Sequence, residues 1–225
     1  LPVSLEVGAL VGGDDPGDVR EQATALLRRG HRVLKLKVGA RSTARDVARV
    51  RALREAAGGG ATIRLDANRA WDLATASEVL EAVAGPDLEL VEEPLAGSPP
   101  LELARLRRAT GVPIGLDESV VDMNDLERFA ACEACDAVVL KLARLGGPRA
   151  AVAIARRARE LGLEVTWTDS IETRVGRQAT LHAAAADGPV HRRAVGLGGA
   201  VLLVEPGVPE DGARVDVLGP GLGPG

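Results

Sequence analysis

Apolar and polar residues alternate along this chain in two periods. Short apolar runs such as "RVLKLKV", "TIRLDA", "LELVEE" and "AVVLKL" read as strands, and the longer stretches between them repeat apolar residues at helical spacing. The strands expected are Ser4–Val11, Arg32–Val38, Thr62–Ala67, Leu88–Glu93, Pro113–Glu118, Ala137–Leu142, Glu164–Thr168 and Ala194–Leu197. The helices expected are Asp18–Arg29, Ala44–Ala57, Ala74–Val83, Leu101–Ala109, Asn124–Ala134, Arg149–Leu161 and Arg174–Ala186. Gly30, Gly58, Gly85, Gly111 and Gly162 stand at helix ends, where left-handed caps are expected.

Strict alternation of strand and helix, recurring about every 25 residues, means a parallel α/β sheet. Eight strands favour a closed (β/α)8 TIM barrel over an open doubly wound sheet, since no glycine-rich phosphate turn follows the first strand. The expected organisation is one barrel over residues 1–205 and a tail over 206–225. The tail's "GPGLGPG" follows no strand-helix unit and reads as flexible chain rather than a phosphate loop.

Composition narrows the partners. The chain has 225 residues and a net charge of −4 with no basic block, so nucleic acid is not expected as a partner. No apolar run is long enough to cross a membrane, and no basic region precedes the apolar N-terminus, which implies a cytoplasmic protein. The start at Leu1 suggests a fragment or processed product. Cys132 and Cys135, in "CEAC" within a helical pattern, read as packing residues rather than a redox dithiol. His31, His182 and His191 are scattered and read as structural or solvated, and no Ser/His/Asp order at strand ends points to a hydrolase.

The candidate chemistry lies at the strand ends. "LKLK" ends at Lys37, "IRLD" at Asp66, "LVEE" at Glu92 and Glu93, "IGLD" at Asp117 and "VVLK" at Lys141. A barrel brings all of these to its C-terminal mouth, where active sites of this fold sit. Three acids from consecutive strands would repel one another unless a cation lies between them. Hard carboxylate oxygens without histidine or cysteine suit Mg²⁺, or Mn²⁺, better than Zn²⁺. Lys35 and Lys37 share one strand face, and buried ammonium groups are costly unless paired or deprotonated. Facing Lys141 across the mouth, they predict proton abstraction next to the carboxylate of a small-molecule substrate, by a lysine whose pKa its cationic neighbours lower.

These motifs resemble the enolase superfamily, in particular its muconate-lactonizing-enzyme-like group and, within that, the o-succinylbenzoate synthases of menaquinone biosynthesis. The resemblance rests on "LKLKVG", "IRLDANRAWD", "LVEEPL", "GLDES", "VVLK" and "TDSIETRVG", spanning residues 34–176 in family order. It implies a (β/α)7β barrel without the α+β capping domain that family enzymes carry. By resemblance, Asp66, Glu92 (the first acid of "EEP") and Asp117 are Mg²⁺ ligands. Lys37 is the base and returns as the acid in a syn elimination, Lys141 stays cationic over the enediolate, and Lys35 tunes Lys37. Asn68, Thr168 and Ser170 are implied on the substrate side. Thr168 and Asp169 stand where relatives carry serines, and an acid at 169 is expected to repel a substrate carboxylate. The implied reaction dehydrates a cyclohexadiene carboxylate to 2-succinylbenzoate. One alternative uses the same two-lysine site, an N-acylamino acid racemase or dipeptide epimerase with Lys37 and Lys141 as opposed bases; another, of a different class, is a non-catalytic barrel fragment that serves as a binding unit.

Overall fold

The computed structural model describes residues 3–187, 193–197 and 214–217; His191 and the "GPGLGPG" segment lie outside the described residues. The elements follow in the expected order: β1 (Val3–Val11), α1 (Pro16–Arg28), β2 (Val33–Lys37), α2 (Thr43–Ala57), β3 (Thr62–Asp66), α3 (Leu73–Val83), β4 (Leu88–Glu92) and α4 (Pro100–Thr110). Then come β5 (Ile114–Leu116), α5 (Met123–Ala131), β6 (Ala137–Lys141), α6 (Pro148–Glu160), β7 (Glu164–Thr168), α7 (Arg174–Ala186), β8 (Val195–Gly196) and β9 (Arg214–Val217). Helix starts are fixed by local chemistry. Asp15, Asp72 and Asp122 accept hydrogen bonds from backbone N–H groups of the first turn, and Pro16, Pro100 and Pro148 open α1, α4 and α6 where a missing N–H costs nothing.

Three expectations change. Gly85 is not a left-handed cap: α3 leaves through extended Ala84, and residue 85 is glycine because a Cβ there would come within 2.8 Å of Asp87 and 3.0 Å of Arg54. Helix α5 stops at Ala131 rather than Ala134, because Glu133 takes φ +53 and turns the chain toward β6. That puts Cys135 beyond the helix, where burial pushes its thiol up to about 12, so it behaves as a small apolar residue rather than half of a redox pair. Finally, residues 214–217 of the expected tail form β9, antiparallel to the first half of β1 (Val3 opposite Val217, Glu6 opposite Arg214).

Strands β1 to β8 pair in parallel and in sequence, and β1 also pairs with β8 and β2, which closes the barrel. Between barrel and helices lies the main apolar layer. Leu34, Leu36, Ile63 and Leu65 from the strands meet Val50, Leu53, Val79, Leu80, Leu103 and Leu106 from the helices, all sealed from solvent. Each such side chain contributes about 1.5–3 kcal/mol through burial. The barrel interior carries the alternate strand residues, and these include charges. His31 is buried with its Nδ1 3.0 Å from the Val7 carbonyl oxygen, a structural position.

One irregularity sets the phase of β4. Ile63 pairs with Leu88 but Arg64 pairs with Leu90, so Glu89 is an unmatched extra residue. Its carboxylate accepts from Arg64 Nε at 2.6 Å, and Arg193 lies 2.8 Å away. Arg64, a buried cation on the interior face that the sequence pattern does not announce, is thereby neutralised. No helix among the described residues is long and apolar enough to cross a membrane.

Two glycines with positive φ separate conformational from steric cost. Gly111, φ +66, caps α4 and has open space around a Cβ position, so Gly111→Ala should cost about 1 kcal/mol. Gly39, φ +91, follows β2 with a Cβ position 2.4 Å from Ala70, so Gly39→Ala should lower the urea midpoint markedly further.

Candidate active site

Lys37 closes β2, Asp66 closes β3 and Glu92 closes β4, and the register sets Lys37 beside Asp66, Asp66 beside Glu92 and Glu92 beside Gly115. A Cβ at 115 would meet Glu92 Cγ at an ordinary contact distance of 3.5 Å and press on Leu90 at 3.3 Å. Asp117 follows two residues on, and Lys141 closes β6 on the far side of the barrel from β2.

The charges answer one another in pairs. Lys35 Nζ donates to Glu92 Oε2 at 2.5 Å and lies 2.9 Å from Asp66 Oδ2, bridging two neighbouring strands. Burial disfavours the Lys35 charge, but Glu92 and Asp66 outweigh it and hold its pKa above the ordinary lysine value. Lys37 donates to Asn68 Oδ1 at 2.5 Å and to Asp66 Oδ2 at 3.2 Å. Burial alone would raise the Asp66 pKa, yet Lys35 and Lys37 hold it below the usual carboxylate range. Lys141 donates to Asp117 Oδ2, and Arg144 Nη1 reaches Asp117 Oδ1 at 3.4 Å. Even so, burial, with Glu118 and Glu92 adding repulsion, pushes Asp117 up to about 6.

A cavity of about 270 Å³ opens at this mouth. Lys35, Lys37, Asp66, Asn68, Lys141, Thr168 and Ser170 line it, whereas Glu92 and Asp117 do not reach its wall and meet it through their lysine partners. The two lysines of β2 differ in depth: the Lys37 side chain is 54% exposed and that of Lys35 25%. Thr168 Oγ1 donates to the Gly196 carbonyl at 2.7 Å, while the buried Ser170 Oγ has no hydrogen-bond partner among the described residues and can serve a ligand. Asp169 also lines the cavity, and Arg177 of α7 stands 3.4 Å from its Oδ2, which offsets its charge.

Among the described residues, no three acid, thiol or imidazole groups converge closely enough to hold a metal ion; ammonium groups stand between the carboxylates instead. The donor set nevertheless fits a hard divalent cation. It offers only carboxylate oxygens from three consecutive strands, and the bridging position of Lys35 shows that Asp66 and Glu92 already share a point of positive charge.

Two supports escaped the sequence pattern. Asp46 and Arg49 of α2 form a buried pair at 2.7 Å; Asp46 Oδ2 accepts from Gly39 N at 2.6 Å, and Arg49 donates to the carbonyls of Lys37 (3.0 Å) and Gly13 (3.1 Å). This fixes the backbone at and just after Lys37 and ties it to the segment after β1. Glu93, adjacent to Glu92, points the other way and is fully buried. Asn68, Arg69 and Glu93 all hold positive φ, backbone strain of about 1–3 kcal/mol each that concentrates at functional sites. A polar residue within a helix, or a second acid beside the first, is the only trace of either support in the sequence.

Residues 18–224 match the family described as enolase C-terminal domain-like. The o-succinylbenzoate synthase of Thermobifida fusca is 43% identical over 168 residues, which cover 74% of this chain and 51% of that protein. The D-Ala-D/L-Ala epimerase of Cytophaga hutchinsonii is 34% identical over 180 residues, 80% of this chain and 49% of that one. Among solved structures, the muconate lactonizing enzyme of Pseudomonas putida superposes with a TM-score of 0.83 at 30% identity, over 90% of this chain and 56% of that chain. The chain thus spans about half the length of the curated relatives it matches.

Removing the Arg49 cation strands a fully buried carboxylate. Arg49→Met should cost about 3 kcal/mol in urea unfolding, and Asp46→Asn with Arg49→Met together should cost less than the two changes summed.

Proposed function

The chain belongs to the enolase C-terminal domain-like family, and on that premise we propose that its mouth abstracts a proton α to a carboxylate and dehydrates 2-succinyl-6-hydroxy-2,4-cyclohexadiene-1-carboxylate to 2-succinylbenzoate. The observation that carries this reading is the pair Lys37 and Lys141, on opposite strands of a closed barrel and on the wall of one cavity. Lys37 is half-exposed to that cavity, held from behind by Arg49 and from the side by Asn68. Its neutral amine takes the α-proton, and the electron pair of the broken C–H bond moves toward the carboxylate. Hydroxide then leaves the neighbouring carbon on the same face, and the Lys37 ammonium returns the proton to release it as water. Lys141, paired with Asp117, keeps a positive charge against the enediolate oxygens. Lys35 stays protonated between Glu92 and Asp66 and contributes positive charge at the floor of the site. Asn68, Thr168 and Ser170 line the substrate side. Asp66, Glu92 and Asp117 would hold Mg²⁺ or Mn²⁺, which when bound supplies positive charge against the substrate carboxylate.

The same opposition of Lys37 and Lys141 favours a second reading, a racemase or epimerase in which each lysine serves one face of an α-carbon. The relatives support both chemistries, since they include an o-succinylbenzoate synthase and an Ala-Ala epimerase.

Conversion of the cyclohexadiene carboxylate, followed by ultraviolet absorbance with Mg²⁺ present, tests the first reading. Lys37→Ala should lower turnover about 10²–10⁴-fold while leaving the melting temperature close to that of the unmodified chain. No turnover of the diene, together with α-proton exchange and inversion of an N-acylamino acid in deuterated water, would replace it with the second.

A further inference from the structure

Besides Asp46, which Arg49 answers, the mechanism leaves another fully buried carboxylate unused, that of Glu93. Its Oε1 accepts from the backbone N–H of Asp117 at 2.8 Å and of Ser119 at 2.7 Å. Its Oε2 accepts from Ser119 Oγ at 2.8 Å, Ser98 Oγ at 2.7 Å and Arg69 Nε at 3.2 Å. The backbone joins in: Arg69 N donates to the Glu93 carbonyl at 2.7 Å, and Glu93 N donates to the Gly115 carbonyl at 3.0 Å. Arg69 also donates to Ser119 Oγ at 2.9 Å. These partners lie on the loops that follow β3, β4 and β5, and each of those loops begins next to one of the three acids Asp66, Glu92 and Asp117.

We propose that Glu93 is a positioning residue that sets the cation affinity of the mouth by locking the three carboxylate-bearing strand ends to one another, without touching cation or substrate. The proposal rests on the reading of Asp66, Glu92 and Asp117 as the cation ligands. Glu92 closes β4 against Lys35 of the mouth, whereas Glu93 leaves the strand at φ +42 and projects into the layer beneath the loops. A bare carboxylate sealed there is too costly unless donors surround it, and the donors come from the loops whose spacing matters. Asp117 is the most dependent of the three. Its own N–H is held by Glu93, and strand β5 beneath it is only three residues long.

The test is Mn²⁺ titration of the whole chain, with free ion read by electron paramagnetic resonance and the melting temperature recorded without metal. Glu93→Gln keeps the shape but places an N–H₂ against hydroxyl, N–H and guanidinium donors. It should weaken Mn²⁺ binding about tenfold or more, as loss of an outer partner of a metal site does. Arg69→Met, at a partly exposed position that should tolerate it, should weaken binding about threefold, with Arg69→Lys recovering part of the loss. A purely structural Glu93 would lower the melting temperature while the folded protein kept its Mn²⁺ affinity, and that result overturns the proposal. Should Glu93→Gln not fold, unchanged affinity in Arg69→Met overturns it equally. The reading beneath it fails with a different signature: no Mn²⁺ binding by the unmodified chain, or binding that Asp66→Asn leaves intact.

Discussion

A single ammonium group, Lys35 Nζ, stands between two buried carboxylates of neighbouring strands, and the charge pattern of the mouth is built outward from it. A closed barrel puts half of its strand residues in an interior where isolated charges are prohibitive, so any charge it carries there must be matched by another. Lys35 answers Asp66 and Glu92; Lys37 shares Asp66; Lys141 and Arg144 answer Asp117; Glu89 answers Arg64 at greater depth. The arrangement is self-consistent only as a set. Asp117 shows what incomplete compensation does, since its carboxylate is held well above its ordinary range despite two cationic neighbours.

The scaffold positions these groups with unequal rigidity. On the β2 side, the Asp46–Arg49 pair grips the backbone around Lys37 from a long helix packed on α1 and α3. On the β5 side, the strand is short, and order comes from the hydrogen bonds that converge on Glu93. Lys37, the proposed base, is thus anchored by a helix, whereas the acids are anchored by loops tied to each other.

Much of this was legible in the residues. The alternation of periods locates β1 to β8 and α1 to α7, because strand and helix periodicities are local and prolines, aspartates and glycines mark the ends. The row of charges at strand ends was visible for the same reason, since an equal repeat in sequence becomes an equal height in a barrel. What was hidden depends on partners far apart in the chain. Nothing near residue 214 says that it will pair with Glu6, and nothing near Asp169 names Arg177 as its counter-charge. Gly85 looked like a cap because glycines at helix ends usually are, but its reason is the side chains of Asp87 and Arg54. Glu93 looked redundant beside Glu92, and only the convergence of three loops reveals its place.

The extra residue in β4 has a consequence for how such a site can change over generations. Glu92 and Glu93 are chemically identical and adjacent, and what separates their duties is that Glu92 ends the strand whereas Glu93 turns out of it at φ +42. Leu88 stands opposite Ile63 and Leu90 opposite Arg64, so Glu89 can be lost without moving Glu92 from its place beside Asp66. A three-nucleotide deletion of the Glu89 codon would therefore leave both acids at their posts and instead strip the buried Arg64 of its partner on β4.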